Sequence, residues 1–213
     1  DQRRLELIRV SGESLLTVVN DVLDVSKIEA GQLELDPLPF ALGKLIEDTV
    51  AIMRGTALKS ALTVEARIDP DLPASVVGDA NRLRQVLFNL LNNAVKFTPA
   101  GSVVLTARYE GSVPGADGGT AEALRFEISD TGIGIAAGDL DRVFEPFERG
   151  NSAEAQSQPG IGLGLAITRV LASVLGGDIA VESTPGVGSS FRFRIMLPAP
   201  MVASRAPVQG ARI

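Results

Sequence analysis

The 213-residue sequence contains no cysteine and no histidine. The first absence excludes disulfides and thiolate metal sites, and the second excludes imidazole ligands and histidine acid–base chemistry within this chain. A metal ion bound here would have to be held by oxygen atoms, which favours magnesium.

The sequence also lacks a long apolar run and an excess of basic residues. No apolar run approaches the length of a membrane span, and the first residues enter a helical pattern without a signal-peptide core. We therefore expect a soluble, cytoplasmic segment that makes no membrane contact itself; a membrane anchor elsewhere in a longer parent protein would be compatible with this. The formal net charge of -6 argues against a nucleic-acid partner, so an anionic ligand should be small and locally bound.

Three segments differ in their patterning. Residues 1–35 carry aliphatic side chains at three- and four-residue spacing, which predicts a long amphipathic helix. Its wide apolar stripe favours packing on a helix from another chain or from sequence outside this one; packing on the following domain is the alternative. Residues 36–198 form the main domain, and the aperiodic residues 199–213 are expected to be a flexible linker.

The main domain mixes helices with strands. Its periodicity predicts helices at residues 41–59, 79–98 and 161–175, a short helix at 139–143, and strands at 62–68, 102–109, 123–129, 178–183 and 189–197. Because several of the strands lie in hairpins, we expect an α+β fold. This is a two-layer α/β sandwich in which one mostly antiparallel sheet is covered on one face by helices.

The predicted helix at 79–98 has two unlike faces. Its polar stripe comprises Arg82, Gln85, Asn89, Asn92, Asn93 and Lys96. Its apolar side comprises Leu83, Val86, Leu87, Leu90 and Ala94. Asparagine is a poor helix former, so its recurrence needs a reason. Amide oxygens suit a hard cation and a lysine suits phosphate, so the stripe is a candidate metal-phosphate platform, with a merely hydrophilic helix side as the alternative.

A second candidate site follows a strand, in the run Asp130-Thr-Gly-Ile-Gly134. Gly132 and Gly134 would allow a flat ligand close to the backbone. The Asp130 carboxylate can accept a hydrogen bond from an exocyclic amine, the group that distinguishes adenine from guanine. An ordinary turn is an equally good interpretation of this motif taken alone.

A third candidate opens a helix, in the run Gly160-Ile-Gly162-Leu163-Gly164-Leu165. Glycines at a helix N-terminus expose unpaired amides to a phosphate at the positive end of the helix dipole. The spacing is not that of the dinucleotide fingerprint, and no Gly-Lys-Ser/Thr is present, so this is not a P-loop.

Between the two glycine motifs lie Phe144, Phe147 and Arg149. Two phenylalanines would anchor a mobile loop, and an arginine would reach a phosphate. The alternative is that both rings fill the core and Arg149 is solvated. Their position between two candidate nucleotide turns favours a lid.

Taken in order, these motifs resemble the boxes of the sensor histidine kinase catalytic domain, an ATP-binding fold of the Bergerat type. The motifs are Asn89-Leu-Leu-Asn-Asn93-Ala-Val-Lys96-Phe-Thr, Asp130-x-Gly-x-Gly134, Phe144-Glu-Pro-Phe147, Gly160-x-Gly-Leu-Gly-Leu165 and Gly186-x-Gly-Ser189-x-Phe191. The resemblance covers residues 40–197. The first helix resembles the second helix of that family's dimerisation and histidine-phosphotransfer hairpin.

The resemblance implies a Mg-ATP site. Asn93 would coordinate magnesium, with Asn89 and Lys96 close by as catalytic residues, and Asp130 would select adenine. The remaining residues implied around the nucleotide are Gly132, Gly134, Ser189, the lid residues Phe144, Phe147 and Arg149 within about 136–160, and Gly160, Gly162, Leu163, Gly164 and Leu165.

In the related gyrase, chaperone and mismatch-repair ATPases, a glutamate that activates water lies four residues before the magnesium asparagine. Here that residue is Asn89, so the resemblance implies transfer of the γ-phosphoryl group to a protein acceptor. The family's acceptor histidine is absent, and this chain alone should not autophosphorylate on histidine.

The implied partners are a response-regulator receiver domain and a second copy of the full-length protein, bound through the hairpin. The Pro/Ala tail suggests a hybrid kinase that continues into a receiver domain, with a plain disordered C-terminus as the alternative. A degenerate nucleotide-sensing or partner-docking module, and a hydrolysing ATPase, remain the alternatives.

Overall fold

The structure is a computed structural model that describes residues 19, 22–24, 26–27, 30, 32–57, 61–115, 119–148 and 161–200. Residues 19, 22–24 and 26–27 are helical, as the N-terminal pattern predicts. Of the rest of the helix predicted over residues 1–35, residue 30 is a turn and residues 32–35 are not helical, so the helix ends earlier than predicted. The other residues of that helix lie outside the described residues, as do residues 201–213 of the predicted linker. None of the described helices has both the length and the apolar character needed to cross a membrane.

Three helices and seven strands make up the described main domain. The helices are α1 (Leu42–Ala57), α2 (Ala80–Lys96) and α3 (Gly164–Val174). The strands are β1 (Leu38–Ala41), β2 (Ala61–Ile68), β3 (Ser75–Gly78), β4 (Ala100–Pro114), β5 (Thr120–Asp130), β6 (Asp178–Thr184) and β7 (Gly188–Pro198).

Five strands form the main sheet in the order β2-β4-β5-β7-β6. β2 runs parallel to β4, and the other neighbours are antiparallel. This agrees with the predicted mostly antiparallel sheet. The register places Asp130 at the end of β5 opposite Ser189 at the start of β7.

The core lies between one face of this sheet and the helices. It contains buried side chains of all three helices and alternate residues of the strands, and the Phe126 and Phe193 rings stack with centroids 4.7 Å apart. The other face carries ion pairs, among them Arg194 with Glu110 and Arg192 with Glu127. A sheet with one apolar face and one charged face is typical of a two-layer sandwich, the fold predicted from the sequence.

The structure differs from the sequence prediction in several elements. β1 and β3 pair as a separate antiparallel ribbon that we did not predict, because each has four residues and little alternation. β4 and β5 extend beyond the predicted bounds. The expected short helix at 139–143 is instead a 3-10 turn at Ala137–Asp139 followed by turns, and α3 begins three residues later than expected.

Candidate functional site

Helix α2 is fixed at its N-terminus by Asp79, as the sequence predicts. The Asp79 side chain is 6% exposed, and its Oδ1 accepts hydrogen bonds from the backbone amides of Asn81 and Arg82, both at 3.0 Å. Its Oδ2 accepts from the Asp36 amide at 3.1 Å. The predicted apolar side of α2 is buried: Leu83, Val86, Leu87, Leu90 and Ala94 are all in the core. The cap and the buried side together set the direction in which the polar stripe points.

The polar stripe of α2 divides into two parts. In the first part, Arg82 donates from Nη1 to both carboxylate oxygens of Asp24, at 2.9 and 3.0 Å, and Gln85 donates to Asp24 at 2.8 Å. These two residues therefore bind the N-terminal helix and are not free for a phosphate. The candidate platform is confined to Asn89, Asn92, Asn93 and Lys96.

Asn89 lies against the start of α3. Its Nδ2 donates to the Gly164 carbonyl at 3.4 Å, and a Cβ built on Gly164 would lie 3.8 Å from the Asn89 amide. Asn93 is half-buried one turn further along, and the Lys96 ammonium lies 4.7 Å from the centre of the Phe97 ring. The asparagine stripe and the glycine turn, 75 residues apart for Asn89 and Gly164, are thus brought together.

Asp130 is held by two backbone amides. Its Oδ1 accepts from Gly132 at 2.8 Å and from Ser189 at 3.3 Å. Burial raises the pKa of the Asp130 carboxyl above its usual value of 3.8, and the bonds from the two amides partly offset this rise. Both of these amide hydrogen bonds use Oδ1, so Oδ2 can accept from an exocyclic amine.

The two glycines after Asp130 are required by close backbone packing. A Cβ on buried Gly132 would lie 2.3 Å from the Phe97 carbonyl oxygen, and one on Gly134 would lie 2.2 Å from the Thr184 carbonyl oxygen. Gly134 also has φ +69°. Both glycines therefore let the Asp130 loop press against neighbouring backbone, a reason that the motif alone did not reveal.

Ser183 is a residue of this site that sequence reasoning missed. Its Oγ accepts from the Ile135 amide at 2.7 Å, donates to the Gly188 carbonyl at 2.9 Å, and lies 3.0 Å from the Ser189 hydroxyl. It connects the loop after Asp130 to the β6–β7 hairpin. The alternation of β6 did not distinguish Ser183 from other strand residues, because its partners follow from the register with β7.

The predicted lid residues are placed differently from one another. Phe144 packs edge-on against Phe191 with centroids 6.3 Å apart, beneath the Arg169 guanidinium at 5.9 Å. Phe147 is 66% exposed with φ +64°, and its amide donates to the Gly162 carbonyl at 3.1 Å. Phe144 is therefore an anchor and Phe147 is not. Arg149 lies outside the described residues.

The described part of the glycine run at the start of α3 presents backbone. Leu163 is buried, Leu165 is half-buried, and no side chain caps the helix among the described residues. Gly162 has φ +81°, and a Cβ there would lie 2.6 Å from the Glu148 carbonyl oxygen. The first-turn amides of α3 are thus available to an anion. Gly160 lies outside the described residues.

The residues present suit a magnesium ion that would be held mainly by phosphates and water, with few protein donors. In the described part of the chain, no group of three or more acidic residues is placed to hold a metal. The carboxamide oxygens of Asn89 and Asn93 are hard donors but few in number. Mg²⁺ accepts such a set where phosphates and water complete its octahedron.

Comparison with known proteins identifies the family. Residues 78–199, more than half of the chain, match the model of the histidine kinase-, DNA gyrase B- and HSP90-like ATPases. This range contains α2, the Asp130 loop and the start of α3. The chain belongs to this family of ATP-binding domains.

Curated relatives include sensor kinases from bacteria and an amoeba. The chain is 41% identical over 194 residues to the sensor histidine kinase GacS of Pseudomonas protegens, a match that covers 91% of this chain and 21% of that protein. It is 36% identical over 205 residues to hybrid signal transduction histidine kinase B of Dictyostelium discoideum, covering 96% and 10%. The chain thus spans about a fifth or less of the length of these relatives.

Two solved structures are similar in fold to this chain. Full-length ShkA, crystallised in complex with AMPPNP, matches with a TM-score of 0.73 at 36% identity, over 90% of this chain and 37% of that one. The Acinetobacter baumannii histidine kinase AdeS matches with a TM-score of 0.64 at 25% identity, over 86% and 78%.

Proposed function

We propose that this chain binds Mg-ATP and donates the γ-phosphoryl group to a histidine on a dimerisation and phosphotransfer helix that is not part of this sequence. The observation that carries the proposal is the position of the Asn89 carboxamide, beside Gly164 at the start of α3. A carboxamide cannot take a proton from water, whereas a glutamate there would. The phosphoryl group is therefore kept for a protein acceptor.

Different residues of the site have different roles in nucleotide binding and transfer. Asp130 accepts from the adenine amine, the amides at Gly162–Leu165 bind phosphate oxygens, and Lys96 supplies positive charge near the transferred group. Asn93, with Asn89 near it, would hold Mg²⁺, which supplies charge neutralisation at the phosphates. In the transfer, the bond from the γ-phosphorus to the β–γ bridging oxygen breaks, that oxygen keeps the electron pair in ADP, and a neutral imidazole nitrogen forms the new P–N bond.

The proposed partners rest on the N-terminal helix and on the relatives. Val19, Val22 and Leu23 are between 45% and 51% exposed, which supports a second copy of the parent protein packing on this helix. Relatives named as hybrid kinases support a receiver domain as the phosphoryl acceptor that follows histidine. A cytoplasmic location is proposed for this segment from its sequence, in which no apolar run approaches the length of a membrane span.

The test is a two-component transfer assay. The chain is mixed with γ-labelled ATP, Mg²⁺ and a separate acceptor hairpin that carries the histidine, taken from one of the sensor kinases above. We expect label on the acceptor. We expect no phosphohistidine on this chain, because its sequence contains no histidine. Matched variants are Asn93→Ala, expected to abolish transfer, and Asn81→Ala, an exposed asparagine in the first turn of the same helix, expected to leave it intact.

Two outcomes would contradict the proposal. Release of free phosphate at the same rate with and without the acceptor would indicate a hydrolysing ATPase. Tight ATP binding without label on any of several acceptor hairpins would indicate a nucleotide-sensing module.

A further inference from the structure

The residue that ends the α2 motif, Thr98, has a buried hydroxyl without a partner. Thr98 is 1% exposed, and among the described residues its Oγ1 is the buried side-chain oxygen or nitrogen that makes no hydrogen bond. Buried hydroxyls are nearly always paired, because an unpaired one loses its bond to water and gains nothing. Such a group points to an interaction that the site makes when it works.

The Thr98 hydroxyl lies beside the base-reading carboxylate. A Cβ built on Gly132 would lie 2.7 Å from Thr98 Oγ1 and 2.8 Å from Asp130 Oδ1. Both oxygens therefore flank the same small space, which Gly132 leaves open by having no side chain. A rotation about the Thr98 Cα–Cβ bond, or a small turn of the carboxylate, would bring them into hydrogen-bonding contact.

We propose that Thr98 is a positioning residue for base recognition: its hydroxyl donates to the Asp130 carboxylate and fixes it with Oδ2 directed at the exocyclic amine of adenine. With this bond, Oδ1 would accept from three donors, two backbone amides and one hydroxyl. The carboxylate could then neither rotate nor take up a proton easily, and a base with a carbonyl in place of the amine would meet a fixed negative charge. This inference rests on the proposed function of the site.

The charge of Asp130 depends on such donors. Burial raises the pKa of the Asp130 carboxyl, hydrogen bonds from the amides of Gly132 and Ser189 lower it, and the nearby Thr98 hydroxyl acts in the same direction. The charged groups on the elements around it are Lys96 at the end of α2, Glu182 on β6 and Arg192 on β7, of which the last two are paired with each other. Loss of the Thr98 donor should therefore raise the pKa of Asp130 further.

The experiment measures Mg-ATP and Mg-GTP affinity by calorimetry as a function of pH, with the full chain. The variants are Thr98→Val, which keeps the shape and removes the hydroxyl, and Thr98→Ser, which keeps the hydroxyl. ATP affinity of the wild type should fall as the pH decreases through the raised pKa of Asp130. In Thr98→Val this fall should begin about 0.5 to 1 pH unit higher, and the preference for ATP over GTP should drop about fivefold; Thr98→Ser should restore both.

The results separate this inference from the proposed function. Coincident pH profiles for wild type and Thr98→Val, with phosphoryl transfer intact, would overturn the role of Thr98 and leave the kinase proposal standing. A pH profile of ATP affinity that shifts in Thr98→Val, in a chain that transfers no phosphoryl group, would support the role of Thr98 and overturn the kinase proposal. If Thr98→Val fails to fold, Thr98→Ala, which cannot clash, serves in the same assay with the same expected shift.

Discussion

At the N-terminal end of α2 the polar groups pair with one another, whereas at its C-terminal end one buried hydroxyl is left unpaired beside a half-buried carboxylate. Asp79 accepts from three backbone amides, and Arg82 and Gln85 both bind Asp24. At the other end of the helix, the Thr98 hydroxyl makes no hydrogen bond among the described residues. Burial raises the pKa of the Asp130 carboxyl, and hydrogen bonds from two backbone amides partly offset the rise.

The difference separates structure from recognition along a single helix. A closed network of hydrogen bonds stabilises the fold and has nothing left to offer a ligand. An incomplete network costs stability and is retained where a ligand completes it. Changes at the N-terminal end should therefore alter stability, and changes at the C-terminal end should alter nucleotide affinity.

The largest effect is expected for Asp130→Asn. Loss of a charge-assisted hydrogen bond of about 1.5 to 3 kcal/mol should weaken ATP binding roughly 10- to 100-fold and remove most of the preference over GTP. The thermal midpoint without nucleotide should rise at neutral pH. The pKa of Asp130 is raised in the folded state, so the ionised carboxylate destabilises the folded protein at any pH above that pKa, and the penalty is lost as the pH falls through it towards 3.8.

Calorimetry and thermal unfolding check the two halves of this prediction. Below pH 3.8, where the carboxyl is protonated in both the folded and the unfolded chain, the gain in stability of Asp130→Asn over the wild type should vanish. An Asp130→Asn variant that binds ATP as tightly as the wild type would contradict base recognition by this carboxylate.

A smaller, opposite effect is expected for Asp79→Ala. Removing the carboxylate leaves the amides of Asp36, Asn81 and Arg82 without their acceptor, and cap replacements of this kind cost about 1 to 2 kcal/mol. Urea unfolding should show a lower midpoint, while ATP affinity measured at a temperature where the variant is folded should change less than about threefold. Asp79→Asn, which keeps one acceptor oxygen, should retain most of the stability. Equal losses of affinity in Asp79→Ala and Asp130→Asn would remove the distinction between the two ends.

Local patterns were sufficient to predict α2. The three- and four-residue spacing identified its buried side, and an aspartate before the first turn identified its cap, because both features depend on neighbours in sequence. The same holds for Asp130 as a candidate, since a carboxylate followed by two glycines stands out without knowledge of the fold.

The partners of these residues could not be predicted. Arg82 lies in the asparagine stripe and was grouped with it, yet it pairs with Asp24, 58 residues earlier. Ser189 donates to Asp130 from 59 residues away because the β5–β7 register brings them together. Phe144 and Phe147 looked alike in sequence, and only the packing of the loop places Phe144 half-buried against the core and leaves Phe147 exposed. Long-range register and loop packing carry no short-range signal.

The smallest effect is expected where the N-terminal helix meets α2. The side chains of Arg82 and Asp24 are 20% and 11% exposed, so their ion pair lies between the surface and buried classes. A double-mutant cycle with Asp24→Asn and Arg82→Met should give a coupling energy of about 1 kcal/mol. Limited proteolysis of the N-terminal helix should accelerate in both single variants, because the contact holds that helix to the domain.

ATP affinity should stay within about twofold of the wild type in these variants, since neither Asp24 nor Arg82 touches the nucleotide site. The exposed surface pair of Glu65 and Arg67, with side chains 55% and 68% exposed, provides the control, and its cycle should give a coupling energy near zero. A large fall in ATP affinity on breaking the Asp24–Arg82 pair would instead mean that the N-terminal helix positions the asparagines of α2. The two ends of α2 would then act as one unit.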